Sequence, residues 1–391
     1  MVGWQELIGF LWCISKTHLN DKEEAFVYHF SGKNVPWESL GALALMQGVS
    51  GFLYYHLKRL DLLPSLPQPF TVQLENSYNQ IKSHANAIGA EAKALSMIFK
   101  EEKIRVIALQ GLSILKIYGE KGLRPLSDLD LMVKEKQKDH LKTLLVEAGY
   151  GNFIPNYPDI LHKNGISIDI HTHILNLDRI RNRHYLFPED LSSMWERSSP
   201  LFKDSNELLA LDPYDNFIAL AAHALKHSYS RMIWLSDLHE SILQLSKYND
   251  GWEKVVIRSR YWHQKKIVLY SLILLEGAFD LKVPCQVKQD LGIDNLNILE
   301  ESLIGLKLKG FLSKELCIPL WLCNIRGASK KLKFIKETIF PRDDIMLQIS
   351  LDNYGKFKRY AYFKRILDTI TLAARNLYRA LIFSFKPIIR R

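Results

Sequence analysis

The spacing of apolar residues changes twice along this chain and divides it into three parts. Up to about Lys103, apolar residues recur every three or four positions, a spacing that predicts amphipathic helices. Near Ile104 this spacing gives way to short apolar runs and alternating segments. Beyond about Leu208 the helical spacing returns, and Asp212 followed by Pro213 is typical of a helix start.

The middle part alternates between strand and helix patterns. Strands are predicted over 106–109, 129–133 and 166–174, and helices over about 113–118 and 136–148. We therefore predict an α+β fold, with a mixed β-sheet core and helical N-terminal and C-terminal regions. The predicted division is a helical N-terminal region over 1–103, an α/β core over 104–204, a helical C-terminal domain over 205–350 and a basic helical tail over 351–391.

The composition is that of a folded protein. With 391 residues, of which 47% are hydrophobic, the chain can bury a sizeable core, which excludes disorder as its dominant state. The four cysteines form no Cys-x-x-Cys pair, so we expect free thiols in a reducing compartment: Cys13, Cys285, Cys317 and Cys323. There is no apolar run of about 18–20 residues and no basic secretory start, so we expect a cytoplasmic protein.

The net charge of +10 is concentrated near the end of the chain. Residues 325–391 contain sixteen Lys and Arg against five Asp and Glu, whereas the first 324 residues are nearly neutral. Basic residues interleaved with aromatics favour contact with an anionic surface, either the inner face of a membrane or an acidic partner. They are equally consistent with a solvated helix face. Nucleic acid is less expected because no recognisable nucleic-acid module accompanies the charge.

Three aspartates are candidates for phosphoryl-transfer chemistry. Asp128 and Asp130 are two positions apart on a predicted strand, so we expect them to share a face. Asp169 lies on a later strand, and pairing of the two strands would gather all three acids. Such carboxylates repel one another unless divalent cations neutralise them, and oxygen ligands favour Mg²⁺ or Mn²⁺. Two such ions can hold the attacking and leaving oxygens of a phosphoryl transfer.

A predicted strand-to-helix junction precedes these acids and is a candidate phosphate site. Gly111 would let the backbone approach a ligand closely, and the N–H groups of the following helix favour phosphate. Ser113 adds a hydroxyl donor, and Arg124 is a candidate clamp on phosphate oxygens. The segment 124–127, which ends at Ser127, leads directly into the first aspartate.

The chain resembles the DNA polymerase β-type nucleotidyltransferases in the order of three motifs. These are the segment 110–113, Arg-Pro-Leu-Ser-Asp-Leu-Asp at 124–130, and Asp-Ile-His at 169–171. More narrowly, it is similar to a bacterial branch described as uncharacterised nucleotidyltransferases. The resemblance implies a nucleotidyltransferase-type sheet core and an NTP such as ATP as co-substrate. It also implies that Asp128 and Asp130 bind two Mg²⁺ (or Mn²⁺) ions, while Asp169 binds the catalytic one and helps deprotonate the attacking hydroxyl.

The resemblance further implies transfer of a nucleoside monophosphate to a hydroxyl or phosphate group, with release of pyrophosphate. No tRNA-binding module is recognisable, so we expect a small-molecule, sugar or peptide acceptor. The nucleotide would contact residues around the two motifs: Gly111, Ser113, Arg124, Ser127 and His171. A catalytically quiet accessory protein that binds a nucleotide or peptide remains the alternative, since Gly111 is followed by Leu112 rather than by a serine or glycine.

Histidines raise further alternatives. Asp169, His171 and His173 would share a strand face, which fits a metal-dependent hydrolase but leaves the other two aspartates unused. His223 and His227 have the four-residue spacing of a zinc-binding pair, without the glutamate of the His-Glu-x-x-His motif. We therefore expect these two to be structural or substrate-contacting. Trp234 and Asp237 are expected to pack their helix and form a local hydrogen bond.

Overall fold

The computed structural model describes residues 2–349, except 153, 155, 178–182, 189 and 310–316, together with residues 358–383. Five helices form the N-terminal region: α1 (Trp4–Ile14), α2 (Asp21–Ser31), α3 (Trp37–Gln47), α4 (Ser50–Arg59) and α5 (Gln68–Glu101). The second begins at a capping box, in which Asn20 accepts from the backbone N–H of Glu23 and Glu23 bonds back to Asn20.

The middle of the chain forms one seven-stranded sheet and three helices. In chain order these are β1 (Val106–Ala108), α6 (Gln110–Tyr118), β2 (Leu129–Met132), α7 (Lys138–Glu147), β3 (Gly151–Asn152), β4 (Ile160–Lys163), β5 (Ile166–His171), α8 (Ser192–Arg197), β6 (Ser199–Phe202) and β7 (Ser205–Ala210). The strand order is β3-β4-β5-β2-β1-β7-β6. The β2–β5 and β1–β7 pairs are parallel and the other pairs are antiparallel, so the sheet is mixed.

The rest of the described chain is helical. Its helices are α9 (Pro213–Lys226), α10 (Met232–Leu245), α11 (Gly251–Tyr261), α12 (Lys265–Phe279), α13 (Cys285–Leu291), α14 (Ile298–Leu308), α15 (Cys317–Asn324), α16 (Ala328–Ile339), α17 (Asp343–Ile349) and α18 (Lys358–Phe383). None of them is both long enough and apolar enough to cross a bilayer within the described residues. Parts of the predicted basic tail, 350–357 and 384–391, lie outside the described residues.

The two faces of the sheet belong to different hydrophobic cores. Val106 and Leu131 pack with the second half of α5 and with α7. Ile107 and Met132, which alternate with them along the strands, pack with the N-terminal and C-terminal helices. The face that carries the functional candidates is therefore the one covered by the C-terminal helices.

The predicted α+β class is confirmed, and the predicted strands and helices of the middle part exist with ends shifted by a few residues. The helix predicted from 113 begins at Gln110, and the strand predicted over 166–174 ends at His171. One prediction is wrong: the segment just after position 204 is not helical but forms β7, which pairs with β1. Its short run of apolar residues is buried by sheet pairing, a long-range event that local spacing does not reveal.

Candidate active site

Two of the predicted aspartates lie side by side because β2 and β5 are adjacent parallel strands. Asp130 and Asp169 are register partners across this pair. Asp130 shares its sheet face with Met132, two positions further along, and is itself buried. An acidic pair therefore interrupts the apolar face on which the C-terminal helices pack.

His171 ties the two carboxylates together. Its Nε2 lies 2.9 Å from Oδ1 of Asp130 and 3.2 Å from Oδ2 of Asp169. Burial alone would lower the pKa of His171, but the hydrogen bonds and charges of the two aspartates outweigh it and raise the pKa to about 10. The imidazole is thus a cation at neutral pH that partly offsets the acidic charge around it.

The same three side chains form a compact set of potential metal ligands, in which His171 could ligate only after losing its proton. One ligand atom each from Asp130, Asp169 and His171 lies within 4.8 Å of the others. The donor chemistry fits a divalent cation, because carboxylate oxygens suit Mg²⁺ or Mn²⁺. This set differs from the predicted trio of aspartates, since Asp128 is replaced in it by His171.

Asp128 stands just outside this set, at the end of the loop before β2. Its Oδ1 accepts a hydrogen bond of 2.7 Å from the Ser127 hydroxyl. Burial and the nearby charge of Asp130 raise the pKa of Asp128 to about 6, while the bond from Ser127 opposes that rise. The negative charge of Asp169 also contributes, so all three aspartates share one electrostatic environment.

A cavity of about 490 Å³ opens over these acids, and we call it the carboxylate cavity. Its lining includes all three aspartates and His171, together with Gln110 and Gly111 at the start of α6. No side chain caps the N-terminus of α6. The first N–H groups of this helix therefore border the cavity without a side-chain partner, an arrangement that suits an anion.

Arg124 lines the carboxylate cavity, but its nitrogens are engaged within the protein. Its Nε and Nη2 donate to Asp237 of α10 at 3.2 and 2.8 Å, and Nη1 donates to the Pro125 carbonyl oxygen at 2.7 Å. The Tyr118 hydroxyl also donates to Asp237. This buried, forked ion pair engages the guanidinium that we predicted as a clamp on phosphate oxygens, and the bonds of Asp237 are long-range rather than local.

Gly111 and Ser113 also make contacts within the protein that the sequence did not predict. A Cβ at position 111 would lie 2.5 Å from Leu126 Cδ2 and 2.7 Å from Arg124 Nη1, so the glycine leaves room for these two side chains. The Ser113 hydroxyl is 2.7 Å from the Gln110 carbonyl oxygen and 3.2 Å from Asn216 Oδ1. Because α6 begins three residues before Ser113, this hydroxyl falls beyond the first turn and outside the cavity lining.

A family model described as "Uncharacterised nucleotidyltransferase" matches residues 33–280, which is more than half of the chain. The chain belongs to this nucleotidyltransferase family. The matched segment contains the whole lining of the carboxylate cavity, whereas α13 to α18 lie beyond it. No curated protein and no solved structure matches the chain. Family membership supports nucleotidyl transfer as the general class of activity.

The sequence interpretation missed two cations in the cavity of this nucleotidyltransferase. Arg231 precedes α10, and Lys226 ends α9, where its Nζ donates to the Leu175 carbonyl oxygen at 2.7 Å. Arg231 has no ion-pair partner among the described residues, and its buried Nε has no hydrogen-bond partner there. Burial and the charge of Arg124 lower the pKa of Arg231. In the sequence, Arg231 lies three residues before Trp234, which is about one helical turn. That spacing was the available signal that the two side chains share a face.

The spaced histidines border the carboxylate cavity as an aromatic cluster. The rings of His223 and His227 lie 4.6 Å apart, and each packs against Trp234. Burial and the neighbouring His227 and Lys226 lower the pKa of His223 well below its ordinary value, so it is neutral. This cluster fits the expected structural or substrate-contacting role.

The hydrolase arrangement of Asp169, His171 and His173 is not assembled. His173 follows the end of β5, and its ring packs edge-on against Phe187 at 5.6 Å. It is absent from the described ligand group, in which Asp130 takes the third place. The strand ends two residues before His173, so the alternation predicted through position 174 does not continue to it.

Proposed function

We propose that this protein is a metal-dependent nucleotidyltransferase that moves a nucleoside monophosphate from an NTP to a hydroxyl or phosphate group of a small-molecule, sugar or peptide acceptor. One observation carries the proposal. The carboxylate cavity combines the Asp130–Asp169–His171 set with the uncapped start of α6 and with Arg231, which has no ion-pair partner in the described part of the chain. Acidic ligands for cations and positive groups for phosphate are what a metal–triphosphate complex requires.

Each side chain has a defined part in the proposed reaction. The N–H groups of Gln110 and Gly111, with Arg231, would bind phosphate oxygens of the NTP. Asp130 and Asp169 would hold the divalent cation, with Asp128 beside them. The bound cation would supply charge neutralisation of the triphosphate.

Asp169 would accept the proton of the attacking hydroxyl. The acceptor oxygen then forms a bond to the α-phosphorus, and the bond from that phosphorus to the leaving oxygen breaks, releasing pyrophosphate. We infer that the fold of the core is of the polymerase β type, which this arrangement of acids on neighbouring strands supports.

Calorimetry with each NTP in the presence of Mg²⁺ tests the nucleotide site, with Mg²⁺ alone as the reference titration. We expect binding that is lost in the Asp128→Asn/Asp130→Asn variant. Asp139→Asn, an exposed position on α7, is the matched control and should bind as the wild type does. Binding that survives the double substitution would instead favour the accessory-protein alternative.

The acceptor is identified in a separate experiment, by incubating labelled NTPs and the protein with a cell extract and finding the labelled product by mass spectrometry.

We also infer that α18 attaches the protein to an anionic membrane surface. Five large apolar side chains on this helix are 48–65% exposed: Tyr360, Phe363, Leu367, Ile370 and Tyr378. At 100° per residue they fall within about 80° of one face. Exposed Lys364 and Arg375 border one edge of this stripe and exposed Arg359 the other, as in helices that lie in a membrane interface.

A further inference from the structure

A second cavity, of about 260 Å³, adjoins the carboxylate cavity, and we call it the aromatic cavity. Among the described residues, Asp169 and Lys226 alone line both cavities, so these two side chains stand at their junction. The aromatic cavity lies between the start of strand β4, at Ile160, and the helices α15, α16 and α17. A ligand in it would therefore meet a nucleotide in the first cavity only at Asp169 and Lys226.

The two oxygens of the Asp169 carboxylate have different neighbours. Oδ2 lies 3.2 Å from Nε2 of His171, which lines the carboxylate cavity. Oδ1 accepts a hydrogen bond of 3.4 Å from Nδ2 of Asn176, which lines the aromatic cavity. The Asp169 carboxylate can thus contact groups in both cavities. Asn176 donates a hydrogen bond to the oxygen on the side of the aromatic cavity.

The lining of the aromatic cavity is mixed, because apolar and aromatic side chains lie beside polar ones that include Asn176, Lys226, Thr338 and Gln348. The C-terminal helices contribute Ile318 and Trp321 from α15, Phe334 from α16 and Ile345 from α17. The acid in the wall besides Asp169 is Asp159, which is already paired with Lys138 at 2.7 Å. The apolar part of this lining suits an apolar body, and the polar part around Asp169 and Asn176 suits a hydroxyl group.

We propose that the aromatic cavity binds the acceptor, and that the acceptor is a small alcohol with an aromatic or branched aliphatic body. This inference rests on the proposed nucleotidyl transfer and narrows its acceptor. An apolar cavity of about 150 Å³ is enough for a benzene ring, so the larger volume here accommodates a ring with a short hydroxyl-bearing chain. The hydroxyl faces Asp169, and the apolar body rests against the side chains of α15 to α17.

The geometry assigns a direction to the reaction. The alcohol enters from the aromatic cavity and gives its proton to Asp169 at the junction. Its oxygen forms the new bond to the α-phosphorus of the NTP in the carboxylate cavity, and pyrophosphate leaves with the electrons of the broken phosphorus–oxygen bond. Because α15 to α17 lie beyond residue 280, the part of the wall that they supply is outside the family match, whereas the part that contains Asp169, Asn176 and Lys226 is inside it.

Fluorine NMR with para-fluorophenethyl alcohol tests binding in the aromatic cavity directly. We expect the wild-type protein to broaden the fluorine signal of this probe, and excess glycerol to leave the broadening unchanged. Ile318→Trp places a large ring in the wall of the cavity, so we expect probe binding to weaken at least about tenfold. Leu332→Trp, which adds the same ring at an exposed position of α16 outside the lining, should bind the probe as the wild type does.

Transfer of label from an α-phosphate-labelled NTP to the same alcohol provides the second readout. We expect labelled product from the wild type and from Leu332→Trp, and loss of product from Ile318→Trp with Mg²⁺–NTP binding and melting temperature retained. Probe binding that is absent, or equal in the two tryptophan variants, overturns the assignment of the cavity. If the probe binds but no NTP does, the proposed nucleotidyl transfer is wrong, and the cavity does not hold an acceptor for it. This result is distinct from the failure of the cavity assignment, in which NTP binds but the probe does not.

Discussion

Two histidines of the carboxylate cavity have opposite protonation states, and their neighbouring charges contribute to the difference. His171 lies between two carboxylates, which raise its pKa to about 10. His223 is half-buried, and burial together with the charges of His227 and Lys226 lowers its pKa well below the ordinary value. The residue type is the same, and the neighbouring charges have opposite signs. The cavity therefore has a cationic imidazole among the acids and a neutral one beside the helices.

Replacing the proposed base should abolish turnover without unfolding the protein. Asp169 is half-buried at the junction of the two cavities, and Asn has the same shape without the ability to accept a proton. We expect Asp169→Asn to lower kcat for pyrophosphate release by about a hundredfold to ten-thousandfold, the usual contribution of a positioned base. Thermal melting should stay close to that of the wild type. Full activity in this variant would show that the base is assigned wrongly.

A histidine far from the site should control stability below neutral pH. His56 is fully buried, and its Nε2 lies 2.7 Å from the Lys16 carbonyl oxygen. Burial lowers the pKa of His56 to about 4, against the opposing effect of that hydrogen bond. In the unfolded chain the pKa is about 6.5. Protons therefore bind the unfolded state preferentially as the pH falls from about 6.5 to 4, and stability decreases over that window.

At pH 5 this difference corresponds to about 2 kcal/mol of unfolding free energy relative to pH 8. We expect His56→Gln to reduce the pH dependence by about that amount, as measured by urea denaturation at the two pH values. His29→Gln, on the exposed side of α2, is the control and should retain the wild-type slope. An unchanged slope in His56→Gln would mean that His56 is charged in the folded state.

At the scale of elements, the Arg124–Asp237 pair connects the loop before β2 to α10. The partners are 113 residues apart in sequence, and the Tyr118 hydroxyl of α6 joins the same carboxylate. Burial and the charge of Asp237 raise the pKa of Tyr118 well above its ordinary value, so the hydroxyl stays protonated and donates. Three elements that border the carboxylate cavity are thus fixed to one another through a single aspartate.

Two arginines that line the same cavity should respond differently to replacement by alanine. Arg124→Ala leaves Asp237 buried without its cation, so we expect a loss of about 3–5 kcal/mol of unfolding free energy. Arg231→Ala removes a guanidinium that has no ion-pair partner among the described residues, so stability should change little. Its effect should instead be weaker binding of Mg²⁺–NTP.

Urea denaturation and calorimetry measured on both arginine variants separate these roles. If Arg124→Ala is as stable as the wild type, the forked pair is not a structural link. If Arg231→Ala binds nucleotide normally, the phosphates lie elsewhere in the cavity.

At the scale of the whole molecule, the exposed stripe of α18 predicts binding to anionic lipid. We expect the protein to float with vesicles that contain phosphatidylglycerol and not with phosphatidylcholine vesicles, and high salt should weaken the binding. Phe363→Glu/Ile370→Glu places two acids in the stripe and should abolish flotation. Val146→Glu/Ile257→Glu, at exposed apolar positions on α7 and α11, is the matched control. Equal flotation of the two variants would contradict a role for α18.

The sequence by itself determined the local features of this protein. Period-two and helical spacing predicted β2, β5 and most of α7, because these patterns depend only on neighbours along the chain. The same reasoning predicted that Asp130 and Asp169 lie on strands whose pairing would bring them together. The motif order was sufficient to indicate the family before any pairing was known.

Only the tertiary structure decided which groups meet across long stretches of sequence. It paired Arg124 with Asp237, placed Arg231 in the lining of the cavity that holds the acids, and joined β7 to β1. It also put His171 between two aspartates, although the sequence shows only that it follows one of them. Such contacts depend on strand order and helix packing, which local spacing does not encode. They decide which charged side chains are paired within the protein and which remain to bind a ligand.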